Sequence, residues 1–325
     1  MYIKSKPIST RLIIYTAIGV VVVGLVIAWF RYQRLLMTPS ECTVTLAVVC
    51  DRNDQIYLLN AGRLRSFGER LRGFHINRLI GYDKESQSIL LYGYAISTEK
   101  DKIVLYDGKR MSPVYLKGVH LDDQTITTIC FQGGKIIVPG IAKDIPSARI
   151  FCLDGKLERN IVYRIPSNLH ASRLNKVLML RDGTYALVLD VDKGLNAIVL
   201  CDSKGKAIRT LGQGYNISYD SKYHRILVTD DINAGNITVI DLKTNTRKTI
   251  FASHPPYYIV RIAPENLDSI SAAPDSDWVV ASYQLDDWAA DQSLYAISID
   301  RNKQIWCKLR DYVLPGQWLP IDNIR

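Results

Sequence analysis

The sequence repeats itself at long, regular intervals. IVLYDGK begins at Ile103 and IFCLDGK at Ile150, and four more stretches follow the same plan: IYLLNAG from Ile56, IVLCDSK from Ile198, ITVIDLK from Ile237 and AISIDRN from Ala296. Each is a run of β-forming residues closed by Asp or Asn and a polar turn. The turn residues are Asn60, Asp107, Asp154, Asp202, Asp241 and Asp300, spaced 47, 47, 48, 39 and 59 residues apart. An Asx side chain can accept from the backbone two residues on, and Gly tolerates positive φ, so each copy predicts a hairpin. Self-similarity of this period marks a repeat architecture.

A second hairpin turn precedes five of the six copies, at Asp83-Lys84, Gly133-Gly134, Asp182-Gly183, Asp220-Ser221 and Asp275-Ser276. These turns lie 24, 21, 20, 21 and 25 residues ahead of the following motif residue. Two hairpins per unit make four strands, and no segment between Cys42 and Arg325 carries a 3.6-residue period. Four-stranded units without helices predict an all-β, six-bladed β-propeller over 42–325. A seventh blade hidden in the 59-residue interval, which also holds the SHPPYY loop, is the alternative. Counting back from Asn60 leaves the first unit without sequence for its innermost strand. After the last outer strand, KQIWCKL, the stretch YVLPGQWLPI (312–321) remains, and it is expected to supply that strand and close the ring.

Ahead of the repeats, LIIYTAIGVVVVGLVIAWF (12–30) runs without a charge. As a helix it would span roughly 28 Å, close to the hydrocarbon thickness of a bilayer. Arg11 bounds one end, Arg31 and Arg34 the other, and Trp29 and Tyr32 stand where interfacial aromatics are favoured. The run is longer than the apolar core of a secretory signal, and no small-x-small site follows it. An uncleaved signal-anchor is therefore expected, with 1–11 as a basic tail and 31–41 as a juxtamembrane linker. Lys4, Lys6, Arg11 and the α-amino group outnumber Arg31 and Arg34. This predicts a single-pass protein with a cytoplasmic N-terminus and an extracytoplasmic propeller, periplasmic in a bacterium.

The net charge of +9 does not indicate nucleic acid, because the five basic residues of 1–40 supply more than half of it. The basic stretch RLRSFGERLRGFH carries an acid inside it, and no run could neutralise several phosphates. The six cysteines (Cys42, Cys50, Cys130, Cys152, Cys201, Cys307) contain no C-x-x-C pair. Cys42 and Cys50 flank an extended run and would stand about 26 Å apart, beyond disulfide reach. Cysteines inside apolar strands read as small buried hydrophobes.

SAAPDSDWVVASY (271–283) resembles the repeat of TolB-type propellers, in which a Pro-Asp turn leads into an apolar strand. The resemblance to this broad WD-repeat-like superfamily covers 42–325 as architecture and is carried closely by this one unit. Ser276 stands where that repeat usually has Gly, the other units lack the Pro, and no Trp-Asp dipeptide occurs. The resemblance implies a propeller, whose fold alone does not assign a function.

In a propeller the hairpin turns share one face. The connections between second and third strands and between blades share the other, which usually binds ligands. The second-to-third connections hold Asp51 and Asp54, Glu99 and Asp101, Asp144, Asp190 and Asp192, Asp230 and Asp231, and Asp286 and Asp287. The blade-to-blade connections hold His75, His120, His170 and His254. His75, His120 and His170 could converge on the axis as ligands of a divalent metal. Alternatively each histidine bonds an acid of a neighbouring turn, as in WD-type repeats; no cofactor is predicted on that reading. The paired acids could also hold calcium, but none follows the twelve-residue loop pattern.

No nucleophile elbow, zinc-protease motif or phosphate-binding glycine loop is present. Tyr257 and Tyr258 in SHPPYY and Trp288 in DDWAAD offer aromatic anchors in long loops. The expected function is a membrane-anchored module or scaffold that binds a protein or peptide. The alternative is a propeller enzyme, a lactonase, lyase or metal-dependent hydrolase with an axial His/Asp site.

Overall fold

The computed structural model describes residues 15, 18–26, 36–37, 45–50, 54–60, 63–83, 85–121, 125, 128–142, 145–167, 169, 171–191, 195–214, 216–229, 236–251, 266–272, 278–284, 292–298, 305–312 and 319–320. After a two-residue strand, β1 (Leu36–Met37), the chain forms successive antiparallel meanders. The first sheet holds β2 (Thr45–Cys50), β3 (Gln55–Asn60) and β4 (Arg63–Ser66). The second holds β5 (Phe74–Asp83), β6 (Ser88–Ala95), β7 (Lys100–Tyr106) and β8 (Met111–Val114). The third is β9 (Cys130–Gln132), β10 (Lys135–Ala142), β11 (Ile145–Cys152) and β12 (Leu157–Val162). The fourth is β13 (Ala171–Met179), β14 (Tyr185–Val191), β15 (Leu195–Cys201) and β16 (Ala207–Gln213). The fifth contains β17 (Asn216–Asp220), β18 (Arg225–Thr229), β19 (Asn236–Asp241) and β20 (Arg247–Phe251). The sixth contains β21 (Asn266–Ala272), β22 (Trp278–Gln284), β23 (Gln292–Ser298) and β24 (Ile305–Tyr312). Every hairpin turn read from the repeat falls between two of these strands. The architecture is that of a β-propeller.

Among the described residues, two strand pairings join the two ends of the chain. β25 (Leu319–Pro320) runs antiparallel to β2, with Leu319 opposite Ala47 and Pro320 opposite Leu46, and takes the innermost place in the first sheet. β1 runs parallel to β24, with Leu36 opposite Trp306 and Met37 opposite Cys307, and becomes a fifth strand on the sixth sheet. Part of the segment read as a plain linker thus covers an outer sheet edge.

The second, third and fourth sheets pack on both faces, so their central strands are apolar without alternation. In β6, Ile89 and Leu91 join the core shared with Ile56 and Leu58 of the first sheet. The intervening Leu90 and Tyr92 join Ile136, Val138 and Phe151 of the third, with Ile129 just ahead of β9. β14 divides likewise: Leu187 and Leu189 face Ile137 and Ile150, whereas Ala186 and Val188 face Ile217, Ile226 and Val228. The period of two survives in the destination of each side chain. Each fully buried Leu or Ile contributes roughly 1.5–3 kcal/mol.

The DGK motif has two jobs. Its Asp closes the turn: Asp107 Oδ1 accepts from the Lys109 and Arg110 amides at 2.8 and 2.7 Å, and Asp154 Oδ1 from Lys156 at 2.9 Å. Asp202 and Asp241 act the same way. Its Gly lets the turn lie against the preceding blade. Gly155, at φ 81°, packs so closely that a Cβ would fall on the Tyr115 carbonyl oxygen; in the Asp202 turn, which has Ser203 at the motif's Gly position, Gly205 stands likewise against Val162.

The expectation of no helix after Cys42 fails at one point. Thr125 and Thr128 are helical, and Thr128 Oγ1 donates to the Thr125 carbonyl at 2.8 Å. Of the apolar N-terminal stretch, Tyr15 and 18–26 are described and helical. Among the described residues no helix is long and apolar enough to cross a membrane.

Candidate functional site

Of the expected connection-face residues, Asp54, His75, Glu99, Asp101, His120 and Asp190 are described. Asp51, Asp144, His170, His254, Tyr257, Tyr258, Asp192, Asp230, Asp231, Asp286, Asp287 and Trp288 lie outside the described residues.

His75 is the second residue of β5, at the entry to the second sheet. Its Nδ1 is 2.9 Å from Asp54 Oδ1, at the connection between β2 and β3. The same oxygen accepts the Ile76 amide at 3.1 Å, and the imidazole lies tilted against Tyr94 with centroids 5.0 Å apart. One carboxylate therefore fixes the last turn of one blade's connection to the first residues of the next. Asp54 holds φ 47°, a left-handed conformation that Asp tolerates better than most residues.

His120 stands exposed after the turn in which the Val119 amide bonds the Leu116 carbonyl. Asp190 is half-buried on β14, opposite Arg173 of β13 and Asn196 of β15. Among the described residues no three His, Cys, Asp or Glu side chains gather as a metal site requires.

Towards the ring's interior lies a polar set that the sequence reading did not single out. Innermost strands of neighbouring blades converge without pairing, which leaves backbone groups facing the next blade. Side chains take them up. Gln132 donates Nε2 to the Met179 carbonyl at 2.6 Å and accepts the Met179 amide on Oε1 at 2.8 Å, acting as a strand residue would. Cys130 Sγ donates to the Val177 carbonyl at 3.0 Å, and Lys176 Nζ to the Ile217 carbonyl at 2.8 Å. Asn175 Nδ2 reaches Asn196 Oδ1 at 3.3 Å. On the hairpin-turn side, His224 joins Tyr219 Oη through Nδ1 at 2.9 Å and Asp182 through Nε2 at 3.5 Å, bridging the fourth and fifth blades.

The interior alters the chemistry of these groups. Burial pulls the Lys176 ammonium down to about 8, and the charge of Arg78 adds to the effect, against an upward contribution from Cys130. Burial also lowers Arg78. It pushes the Cys130 thiol up to about 11, against the opposing pull of Lys176 and Arg78, and the Cys201 thiol up to about 12. Cys130, Cys152 and Cys201 are free thiols. The sequence signal for the set was present as Ile76-Asn77-Arg78-Leu79 and Leu174-Asn175-Lys176-Val177, two copies of an apolar-Asn-basic-apolar pattern in innermost strands.

No family model matches the sequence, and no curated protein does. Solved structures do. A chain of a nidogen/laminin complex matches with a TM-score of 0.53 at 11% identity, covering 84% of this chain and 94% of that one. TolB from Acinetobacter baumannii matches with a TM-score of 0.55 at 11% identity, over 85% of this chain and 66% of that one. A protein of unknown function from Bacteroides caccae matches with a TM-score of 0.51 at 12% identity, over 83% of this chain and 100% of that one. At these identities the likeness is one of fold, and the shared class is the β-propeller.

Proposed function

We propose that the chain is a membrane-tethered, six-bladed propeller whose connection face binds a protein or peptide on the extracytoplasmic side. The observation that carries the binding reading is the use made of His75. Its Nδ1 faces Asp54 and its ring rests on Tyr94, so the imidazole serves as a rigid corner between blades. A corner fixed in this way suits a preorganised docking surface, which limits the ordering cost of association. The six sheets, with β25 on the inner edge of the first, support six blades over seven. The matching fold within a nidogen/laminin complex supports a protein partner.

The tether rests on the apolar stretch. Ile18, Val20, Val21, Val22, Val23, Leu25 and Val26 are between 46% and 66% exposed, on every side of the helix. A helix that is apolar all round and uncovered by protein is suited to lipid. Arg11, Arg31 and Arg34 at its ends fit the same reading, and the excess of basic residues ahead of it favours a cytoplasmic N-terminus.

Photo-crosslinkers placed in the native membrane at Glu99 and His120, on the connection face, should capture one discrete protein. Placed at Lys109 and Lys204, on the hairpin turns, they should not. No adduct from the connection face, or equal adducts from both faces, would overturn the binding reading. Alkaline carbonate should leave the full chain in the membrane pellet and release a chain lacking 1–30. Release of the full chain would overturn the tether.

A further inference from the structure

The direction of β1 determines from which side the chain enters the propeller. β1 runs parallel to β24, with Leu36 opposite Trp306 and Met37 opposite Cys307. β24 begins at the hairpin-turn face, where Ile305 lies opposite Ser298. It ends at the connection face, where Tyr312 lies opposite Gln292 and Gln292 opposite Gln284. A chain that passes through Leu36 in the same direction therefore arrives from the hairpin-turn side, at the outer edge of the sixth sheet.

Five residues, 31–35, separate the apolar stretch from β1. Fully extended, the chain from Phe30 to Leu36 reaches at most about 22 Å. The strand from the level of Trp306 to that of Tyr312 is already roughly 20 Å long. To meet a bilayer on the connection side, the linker would have to turn back, run that whole length and then clear the connections beyond Tyr312. It is too short to do so. On the hairpin-turn side it has only the height of the turns to cover.

The hairpin-turn face carries chemistry that suits a lipid surface. Lys109, Lys156, Lys204, Lys206 and Lys243 follow the motif Asp in four successive sheets and are exposed. The Asp carboxylates bend back onto turn amides, and Glu158 is held by Lys135 at 2.5 Å. Beside the lysines, at the turn end of the outer strands, Met111, Leu157 and Ile208 are 39%, 47% and 54% exposed. Lysines bordering exposed apolar side chains match the two layers of a membrane interface, anionic headgroups above and acyl chains below. Met111, Leu157 and Ile208 belong to the second, third and fourth sheets, across the ring from the sixth. A ring resting only on the rim of the sixth sheet would leave them in water.

We propose that the hairpin-turn face of the propeller lies on the bilayer. Its turn lysines meet anionic lipid headgroups, Met111, Leu157 and Ile208 enter the headgroup boundary, and the connection face points away from the membrane. Ile96 and Ile145, exposed at the connection end, then face away from the lipid. The orientation rests on the tether proposed above, and it stands whether or not the connection face binds a protein.

The test is photo-crosslinking of the full chain in vesicles of phosphatidylcholine, with and without phosphatidylglycerol, using radiolabelled lipid. An apolar photo-crosslinking residue replaces Met111 or Leu157 on the turn side, and Glu99 or His120 on the connection side. Flotation of the vesicles after a carbonate wash is read first, and a chain that fails to float overturns the tether and the orientation with it. In floated protein, Met111 and Leu157 should give lipid adducts and Glu99 and His120 none. The yield should be about fivefold higher with phosphatidylglycerol, as one lysine held at an anionic surface requires. K109Q/K156Q/K204Q/K206Q should still float through its apolar helix but lose the preference for phosphatidylglycerol. Adducts from Glu99 and His120, or none from Leu157, in protein that floats would overturn the orientation and leave the tether standing. Equal yields in the two lipids would overturn the assignment to anionic headgroups.

Discussion

Asp54 Oδ1 holds His75 Nδ1 at 2.9 Å and the Ile76 amide at 3.1 Å, so a single oxygen joins the connection of one blade to the inner strand of the next. The two bonds are unequal in consequence. His75 is about a third exposed, whereas Ile76 is buried. H75A should lower stability by about 1 kcal/mol, while D54A, which orphans a buried amide, should cost roughly 1–3 kcal/mol. Urea unfolding of the two variants checks the order; equal losses would show that the amide bond contributes nothing.

Gly155 and Gly183 both adopt φ 81°, but their surroundings differ. A Cβ on Gly155 would meet the Tyr115 carbonyl, and one on Gly183 would meet nothing within 4 Å. G183A should therefore cost only left-handed strain, about 1–2 kcal/mol. G155A should add a further 1–3 kcal/mol, roughly, for pushing two blades apart. The difference in unfolding midpoint between the variants reads the inter-blade contact alone.

Lys176 makes stability depend on pH in a definite direction. Its pKa falls from 10.5 to about 8 on folding, mainly by burial. Below about pH 8 both states carry the proton and the folded state bears the whole cost of the desolvated ammonium. Between pH 8 and 10.5 the unfolded state holds more protons, so this contribution to stability rises with pH until the cost is gone. The effect is on the order of 3 kcal/mol. K176M should be more stable than wild type at pH 7, and the gap should close towards pH 10. A gap that stays constant across that range contradicts the desolvated ammonium.

β25 is two residues long, yet it occupies the inner edge of β2. Removing 313–325 exposes that edge and separates the first blade from the end of the chain. The truncated chain should lose cooperative unfolding and aggregate through the open edge. A truncation that unfolds like the full chain would show that the two-residue pairing is dispensable.

The hairpins were legible because their chemistry is local. Asp107, Asp154, Asp202 and Asp241 bond amides within four residues, so composition at one turn reports its geometry. The Asp54–His75 contact was legible as a class, since an acid and a histidine recurred in facing connections. β1 pairing with β24 was not, because Leu36 and Met37 meet Trp306 and Cys307 across almost the whole chain. Lys176 and Arg78 escaped notice for a related reason. A basic residue in a strand reads as solvent-facing until a bulge turns it inward, and Asn77 and Asn175 give only a weak sign of that. His224 was passed over because it lies in a hairpin turn, where its two partners, Tyr219 and Asp182, come from different blades.

The central claim is that the connection face binds a partner and that His75 serves there as a structural corner and not as a metal ligand. Metal analysis of the purified full chain tests it most directly, in wild type and in a variant carrying H75A, H120A and H170A. The account predicts no stoichiometric metal in either protein and a measurable loss of stability in the variant, with His75 and its Asp54 contact contributing about 1 kcal/mol. One metal per chain in wild type, absent from the variant, would contradict it and make the face a metal centre.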